Sequence, residues 1–470
     1  MRNVTAPASL ALIPILWVSA LCAEGGGGAT YSVQSQRKPG QIDQVNVLLE
    51  VNGDEVGKAD PSKGDKAEKV PVKVSCSRDY DEKTLAIPDG STGEAASKDA
   101  AKDAAKNWRS VRYYNTATAT VTEGRESVRP ILRPDRRLIG VEIVPWKTTP
   151  YCPRGPLNID ELELVSAPGN SLPLDELLPK KQVAIGESWK ISDEIVAELL
   201  DLEEVSANTV EVVLKEVKDD KTRLEMVGHV EGKLYGAVNQ IELKAKCRLD
   251  RASQRIDWFA MRVKQTREAS LVERGMDVTV LVQMKISQKE SSESLSDEAL
   301  RDVTLTPTDA ICKMEYESPE GGWRLLHDRL WFLTEHYRDL DVFHRVDAGV
   351  DIALCKISPL AQVEPAKLPS LAQFQADVQQ ALGKNFGEFV EAGQYVGDAN
   401  YRIFRVVAKG TDGEAPVRWQ YDHVSDEQGR QAAFAFRVEE KRVEAFGKSG
   451  DQMVDSVRFV EKKPSESPKP

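Results

Sequence analysis

Histidine and acidic side chains crowd one short stretch of the chain, and they are the first residues to weigh as metal ligands. His327, His336 and His344 stand as H-x8-H-x7-H. Acidic residues lie beside them at Asp328, Glu335, Asp339 and Asp341. Local zinc motifs use tighter spacings, such as two histidines one helical turn apart. The wide spacing predicts histidines on different strands or turns, at strand edges or in solvent, and no metal site.

Motifs for nucleophilic or nucleotide chemistry are missing from the sequence. Ser449 lies in GKSGD, which lacks the GxSxG spacing of a nucleophile elbow. Neither a Walker loop nor GxGxxG occurs. Neighbouring carboxylates such as Glu203 and Glu204 are typical of a solvated edge rather than of a glycosidase site. We therefore predict no catalytic residue, no cofactor-binding residue and no cofactor, and a protein that is not an enzyme.

The charge balance is acidic, with a formal net charge of -12 over 470 residues. That balance argues against a nucleic-acid partner, which would be met by a basic face. One basic cluster stands against the acidic background: Arg125, Arg129, Arg133, Arg136 and Arg137. Such a cluster could bind an anionic envelope surface. We expect its arginines to pair with neighbouring acids instead.

The cysteine pattern indicates neither a redox nor a zinc-ribbon site. The chain has six cysteines, and no two of them form a CxxC motif. Cys247 shares a strand face with Ile241 and Leu243, which predicts a buried, apolar thiol. Two disulfides remain possible, and spacing alone does not decide between bonded and free: Cys76–Cys152 and Cys312–Cys355.

The N-terminus has the pattern of an export signal. Arg2 precedes an apolar run at 10–22, which is too short for a comfortable membrane span. Small residues near 20–23 fit cleavage, so we predict a signal peptide over 1–23 and a flexible mature N-terminus over 24–40. Cys22 could be removed, lipidated or retained in an uncleaved anchor. We expect a periplasmic, extracellular or cell-envelope protein that is not integral to the membrane after cleavage.

The sequence predicts a β-rich first domain over 41–287, whose strands would position any functional residues. Strict alternation of apolar and polar residues at 241–249, 259–264 and 278–286 predicts antiparallel strands with one wet face. Several such strands joined by polar turns favour a curled sheet or an open barrel with one or two helices. An Ala/Lys/Asp-rich stretch at 91–108 predicts an exposed helix.

A second helix is predicted over 192–202, between the two groups of strands. A helix beside a curled sheet either completes its core or covers a pocket for an apolar ligand. If the helix completes the core, the domain has no internal pocket. If it covers a pocket, the domain is a carrier of a lipid or similar molecule.

A Ser/Glu/Asp-rich segment at 288–309 predicts a linker, followed by a second domain over 310–461 and a disordered tail over 462–470. The second domain contains several strands and a helix at 370–386 with a capping box at Ser370 and Gln373. Leu371, Phe374 and Val378 give that helix an apolar stripe for core packing.

This second half resembles the PsbP/Mog1-like fold, an antiparallel sheet sandwiched between helices. The residues that carry the likeness are Trp323 and Trp331, the helix from Ser370, the strand 401–408, the hairpin WQYDHVSDEQGRQAAFAF and the ending VDSVRFV. The whole chain, with LPKKQVAIGESW at 178–189, resembles uncharacterised exported proteins of planctomycete bacteria. The resemblance implies a mostly non-catalytic docking or accessory role and offers no catalytic residues.

The sequence thus predicts an α+β protein: a β-rich first domain and a PsbP/Mog1-like second domain. It predicts an exported, non-catalytic binding or accessory protein whose partner is an unknown protein or envelope component. The alternative is a carrier of an apolar ligand in the curled first domain. An unrecognised hydrolase is the third reading.

Overall fold

The computed structural model describes residues 29–57, 67–88, 107–144, 147–318 and 321–461. The predicted signal peptide, the helix predicted at 91–108 (except for its last two residues) and the C-terminal tail lie outside these residues. Within the described part of the chain, no helix is both long enough and apolar enough to span a membrane.

The first domain is built on one antiparallel sheet of 13 strands. Its hydrogen-bonded order is β7-β6-β4-β3-β2-β15-β14-β13-β12-β11-β9, with β5 beside β4 and β10 beside β12. β1 and β8 form a separate two-stranded pair. In chain order the strands are β1 (Thr30–Tyr31), β2 (Ile42–Val56), β3 (Lys69–Ala86), β4 (Trp108–Glu123), β5 (Glu126–Val128), β6 (Leu138–Ile143), β7 (Thr148–Tyr151), β8 (Val183–Ala184), β9 (Ser188–Lys190), β10 (Glu204–Asn208), β11 (Glu211–Lys218), β12 (Lys221–Leu234), β13 (Ala237–Asp250), β14 (Arg255–Arg267) and β15 (Gly275–Lys289).

The two faces of this sheet have opposite environments, as its period-two alternation predicts. Ile241, Leu243 and Cys247 on β13 are buried, and their neighbours Lys244 and Lys246 are exposed. The buried side chains from β2 round to β11 belong to one hydrophobic cluster, so the sheet curls around it. We call the side facing this cluster the inner face and the opposite side the outer face.

Short helical segments fill the space inside the curled sheet. They are α1 (Ile159–Ser166), a 3-10 helix (Leu172–Leu177) and α2 (Asp193–Leu200). The N-terminal residues also enter, because Val33 and Arg37 are buried although they lie in the segment predicted to be flexible. Leu174, Leu177 and Val196 join the same cluster as the inner face. The helix predicted at 192–202 is therefore confirmed as α2, and it packs as part of the core.

The predicted linker lies against the outer face at one end of the sheet. It contains a 3-10 helix (Glu293–Leu295), α3 (Asp297–Leu300) and, across its C-terminal boundary, α4 (Asp309–Cys312). Leu295 is fully buried with Val111 and Leu138, and Leu300 and Leu305 pack beside them. Lys83 adds an ion pair to Asp297 at 2.6 Å.

The second domain has a seven-stranded antiparallel sheet and a three-stranded one. The larger has the order β18-β19-β20-β24-β23-β22-β21, and the smaller β16-β17-β25. The strands are β16 (Met314–Ser318), β17 (Trp323–His327), β18 (Trp331–Tyr337), β19 (Leu340–Asp347), β20 (Val350–Leu360), β21 (Phe386–Val396), β22 (Arg402–Asp412), β23 (Ala415–Ser425), β24 (Gln431–Glu439) and β25 (Arg458–Phe459). The helices are α5 (Leu371–Leu382), α6 (Val443–Phe446) and α7 (Ser449–Asp455), with 3-10 turns at Pro365–Lys367, Gly383–Asn385 and Glu440–Arg442.

The predicted α+β class is wrong, because the described residues are mostly β, with 55% strand and 17% helix. The predicted arrangement of a sheet sandwiched between helices is also wrong. One face of the seven-stranded sheet carries α5, through Val378 and Leu382. The other face packs against a mixed layer made of β17, through Trp323 and Leu325, and the one- to two-turn helices α6 and α7, through Phe446 and Met453. Strands and short helices therefore share the place where a helical layer was expected.

Several contacts join the domains, among them a hydrogen bond from Arg329 to the Pro150 carbonyl and an edge-on contact between Tyr235 and Phe332. Leu157 and Met314 form an isolated parallel bridge, beside which Arg133 donates to Glu315 at 3.0 Å. Elsewhere two hairpin turns meet: Gly236 and Gly349 both have positive φ and are so close that a Cβ on Gly236 would lie 2.7 Å from the Gly349 Cα. Neither turn could carry a side chain on that glycine without moving its partner.

Candidate functional site

The space inside the curled sheet is filled. An apolar pocket there, lined by Leu177, Met226, Cys247 and Phe259 among others, has a volume of about 10 Å³. That is room for about one water molecule at most. An acyl chain or another apolar ligand would have to displace side chains that already pack at core density.

One end of the inner face carries a network of buried charges, although the surrounding core is apolar. Glu82 is completely buried and accepts hydrogen bonds from Arg112 Nε at 2.7 Å and Ser110 Oγ at 2.9 Å. Arg37 lies 3.6 Å from the same carboxylate and donates to Asp175 at 2.7 Å. Three separate pieces of chain thus meet on Glu82: the N-terminal segment, the strands β3 and β4, and the 3-10 helix that bears Asp175.

The charges of this network compensate one another. Burial alone would raise the pKa of Glu82, but the guanidinium groups of Arg112 and Arg37 outweigh it and lower the pKa to about 2. Ser171 also donates to Glu82, and Arg255 pairs with Asp43 at 2.6 Å nearby. Because Glu82 has no exposed surface, no ligand can reach it, and the network acts as a structural clamp.

A second carboxylate lies at the margin of the network with its proton affinity increased. Glu198 on α2 accepts hydrogen bonds from Asn170 at 3.1 Å and from Thr148. Asn170 in turn accepts one from Arg112 at 2.5 Å. Burial raises the pKa of Glu198 to about 7, in spite of the hydrogen bonds from Thr148 and Asn170. The native state therefore binds a proton at Glu198 more tightly than the unfolded chain does.

Replacing Glu198 by glutamine is expected to stabilise the protein at pH 8 by about 1–2 kcal/mol and to change little at pH 4.5. A carboxylate with a raised pKa destabilises the native state above that pKa and ceases to do so as pH falls through it towards 4.5. Glutamine keeps the acceptor for Asn170 and cannot ionise. Urea unfolding of both proteins at the two pH values measures the difference, with Glu231→Gln on the exposed side of β12 as control. An equal effect of E198Q at both pH values would contradict this assignment.

The larger open space lies on the outer face, across β11 to β14. It is a groove of about 760 Å³ lined by Lys215, Glu216, Arg223, Glu225, Lys246, Arg248 and Trp258, with Leu224 and Cys247 at its floor. We call these residues the outer groove. A bulge in β11 between Leu214 and Glu216 shifts the register there and turns Lys215 and Glu216 to the same side. The groove is thus a product of strand pairing rather than of any local motif.

The charged side chains of the outer groove are well exposed, and one of their carboxylates is held only by long contacts. Glu225 lies 3.7 Å from Lys215 and 3.6 Å from Lys246, so one carboxylate serves two ammonium groups. Arg223 meets Glu216 at 2.9 Å with its side chain 67% exposed. Exposed pairs of this kind contribute only about 0–1 kcal/mol each. They can therefore exchange their partners for a ligand at little cost.

Trp258 stands at one end of the outer groove. Its strand neighbours across the ladder are Arg248 on β13 and Lys285 on β15, and the side chain is half-buried. The adjacent outward position on β14 is Ala260, opposite Lys246. Trp258 itself is one of the residues that line the groove. Aromatic side chains flanked by cations are common at binding surfaces because they offer contact area at low entropic cost.

The three histidines weighed as metal ligands do not come together. His336 contacts Asp341 at 2.5 Å, His344 contacts Asp351 at 3.3 Å, and His327 bonds the carbonyl of Asp328 at 2.8 Å. Within the described ranges, no three His, Cys, Asp or Glu side chains are grouped so that they could hold a metal ion. Ser449 accepts from the Trp331 indole at 2.7 Å and donates to Asp328 at 2.8 Å, which is a packing role.

The arginine cluster behaves in part as predicted. Arg133 makes a two-pronged contact with Glu161, at 2.6 and 2.7 Å, and Arg136 pairs with Asp135. Arg125 and Arg129 are exposed and flank β5 on its two ends. The described cysteines are all free thiols, so neither possible disulfide is present: Cys76, Cys152, Cys247, Cys312 and Cys355. Cys247 is buried in the core, as predicted.

The outer groove was not predicted from the sequence, although the residues that form it follow a regular pattern along two strands. Outward positions of β13 and β14 carry Lys244, Lys246, Arg262 and Lys264, and read singly they look like an ordinary wet face. Pairing β13 with β14 places Lys244 opposite Arg262 and Lys246 opposite Ala260, which turns separate charges into one surface. Tabulating outward residues strand by strand would have shown this excess of positive charge.

Comparisons with known proteins give likenesses of fold only. No family model matches the chain, and no curated protein matches it. The cyanobacterial PsbP of Synechocystis sp. PCC 6803 is similar over 32% of this chain and 92% of its own, with 14% identity and a TM-score of 0.26. The Ran-binding protein Mog1p of Saccharomyces cerevisiae covers 32% of this chain and 96% of its own, with 12% identity and a TM-score of 0.26.

An outer membrane channel from Pseudomonas putida F1 is similar over 86% of this chain and 97% of its own, with 6% identity and a TM-score of 0.16. At such TM-scores these likenesses carry no inference about activity or partners. The predicted likeness to PsbP and Mog1 folds is found, over about a third of the chain. The whole-chain resemblance to exported planctomycete proteins stays a prediction.

Proposed function

We propose that this protein is an exported, non-catalytic binding or accessory protein of the periplasm or cell envelope, and that its ligand docks in the outer groove. The observation that carries the proposal is the contrast between the two faces of the large sheet. The apolar pocket on the inner face has about 10 Å³ of free space, whereas the outer groove has about 760 Å³. Export rests on the apolar run at 10–22, and it is proposed on that pattern alone.

A binding role fits the chemistry of the outer groove. Lys246, Arg248 and Trp258 offer charge and contact area, and their backbones are fixed in the middle of a continuous ladder. A site on rigid strands holds its side chains more closely than a loop does. Glu82, whose pKa is lowered to about 2, lies instead inside the core, away from any substrate.

The carrier alternative gains no support from the interior. Phe259, Leu177 and Met226 already occupy the place where an apolar ligand would lie. Opening that space would require α2 and the 3-10 helix at Leu172–Leu177 to leave the core together with the buried charges of Glu82 and Arg37. The outer groove therefore stands as the docking site of this proposal.

The proposal is tested on full-length protein expressed in its own host. We expect the protein in the periplasmic or envelope fraction, with an intact mass that lacks the predicted 1–23 segment. Native mass spectrometry of that material should show a bound ligand in the wild type and in the control Arg125→Glu/Arg129→Glu. The groove variant Lys246→Glu/Trp258→Ala should lose it. Cytoplasmic protein with its N-terminus intact would contradict export, and a ligand retained by the groove variant would contradict the site.

A further inference from the structure

We propose that the outer groove binds a linear acidic polysaccharide, whose carboxylate or sulfate groups lie on its basic side chains and one of whose sugar rings stacks on Trp258. This inference rests on the proposed function and specifies the ligand of the same groove. It commits to one class of polymer because charge, shape and the aromatic residue all point to that class.

The charge of the outer groove is opposite to that of the chain as a whole. The chain as a whole carries a net charge of -12. On and beside the outer groove the balance reverses, because eight basic side chains face Glu216, Glu225, Glu242, Asp250 and Asp257; the basic ones are Lys215, Arg223, Lys244, Lys246, Arg248, Arg262, Lys264 and Lys285. A basic area on an otherwise acidic protein attracts an anionic ligand to that area and repels it elsewhere. Polyanions would therefore approach this face in preference to any other.

The basic surface extends beyond the outer groove onto the neighbouring strands. Arg262 and Lys264 on β14 and Lys285 on β15 are exposed, and in the described part of the chain they form no ion pair. Lys244 opposite Arg262 links them to the groove. From β11 to β15 the surface crosses five strands, or about 19 Å at the usual strand spacing. A ligand that uses all of it must be extended, as a polymer is and a small anion is not.

The indole of Trp258 supplies an aromatic surface between basic residues. It is half-buried between Arg248 and Lys285, with Ala260 beside it on the same face. The apolar face of a sugar ring can lie against such an indole while its substituents reach the flanking cations. Carboxylates suit Arg248 in particular, because a guanidinium can donate two parallel hydrogen bonds to one carboxylate. Arg248 presently gives one at 2.7 Å to Asp257.

The existing ion pairs leave room for this exchange. Glu225 is shared between Lys215 and Lys246 at 3.7 and 3.6 Å, distances longer than a direct hydrogen bond. A polymer carboxylate that approaches Lys246 replaces a weak contact with a direct one. Glu225 and Glu216 remain to accept hydrogen bonds from sugar hydroxyls.

The test is a binding measurement with polygalacturonate and with its fully methyl-esterified form, which has the same backbone and no charge. Titration calorimetry of the full mature chain at 20 mM salt should detect polygalacturonate and not the ester. Dextran sulfate against dextran repeats the comparison for sulfate. Lys246→Glu/Arg262→Glu should weaken binding at least about 10-fold. Trp258→Ala should weaken it about 5-fold. The control Arg125→Glu/Arg129→Glu changes net charge equally on another surface and should shift the affinity less than about 2-fold.

Each other outcome overturns the inference. Equal loss in the control variant would mean that net charge governs binding, and equal affinity for the ester would mean that charge is irrelevant. Tighter binding of single-stranded DNA of equal charge than of polygalacturonate would assign the surface to nucleic acid. Concentration-dependent dimers abolished by K246E/R262E would assign it to a second copy of this chain. If neither polymer binds but the groove variant still loses its native ligand, the polysaccharide class is wrong and the proposed function stands.

Discussion

Replacing Glu82 by glutamine is expected to lower the free energy of unfolding by about 3–5 kcal/mol, the largest loss from any single polar substitution in the first domain. Glutamine has almost the same shape, but it leaves Arg112 and Arg37 buried without their counter-charge. Removing one member of a buried ion network costs more than the network contributes, because the remaining charges stay desolvated. Chemical denaturation followed by circular dichroism measures the loss.

The matched control is Glu50→Gln on the adjacent strand β2. Glu50 lies on the outer face and is exposed. The change in charge is identical, and the expected change in stability is within about 0.5 kcal/mol. If E82Q and E50Q behaved alike, the network around Glu82 would not be the clamp described above. The stability gap should also shrink below pH 4, because protonation then begins to cost the wild type the benefit of a pKa near 2.

Replacing Phe259 by alanine is expected to cost about 3–5 kcal/mol, since the ring is almost fully buried in the inner cluster and its loss leaves a cavity. Phe259 is 1% exposed and lines the small pocket inside the sheet. Thermal and urea unfolding of Phe259→Ala and of the milder Phe259→Leu should place the alanine variant well below the leucine variant.

The adjacent residue gives a control within the same strand. Trp258→Ala removes a larger side chain from the outer face, where it is only half-buried. We expect this change to cost less than about 1 kcal/mol, because no enclosed cavity forms on an open surface. A loss from W258A as large as that from F259A would mean that the two faces are packed alike.

The strands of the first domain were readable from the sequence because one face of each is apolar. Alternation at 241–249 and 278–286 located β13 and β15 and their wet faces. The capped helix at Ser370 was equally legible, since Ser370 accepts from the Gln373 amide in the structure. Local period and local capping are properties of a few consecutive residues, so a single chain can display them.

Long-range pairing was not readable in the same way. Arg37, Glu82 and Arg112 belong to distant segments, and each alone looks like an ordinary surface charge. The fold class failed for a related reason. The hairpin of β16 and β17 comes early in the second domain, yet it pairs with β25 at the very end of the described chain and shares one face of the large sheet with α6 and α7. The sequence of 314–327 by itself does not indicate that β17 pairs with β25.

The two faces of the large sheet thus have different roles in this account. The inner face is committed to stability through Phe259, Leu243 and the clamp at Glu82. The outer face carries Trp258, Lys246 and Arg262, which make few contacts that the fold requires. Residues alternate between the two tasks along a single strand, so neighbouring substitutions should separate stability from binding.

The most direct test of that division is the affinity of Trp258→Ala and Phe259→Leu for polygalacturonate, measured side by side by titration calorimetry on the full mature chain. We predict that W258A binds about 5-fold more weakly with near wild-type stability, and that F259L binds as the wild type does with reduced stability. Weaker binding by F259L together with unchanged binding by W258A would place the ligand inside the curled sheet and contradict the account.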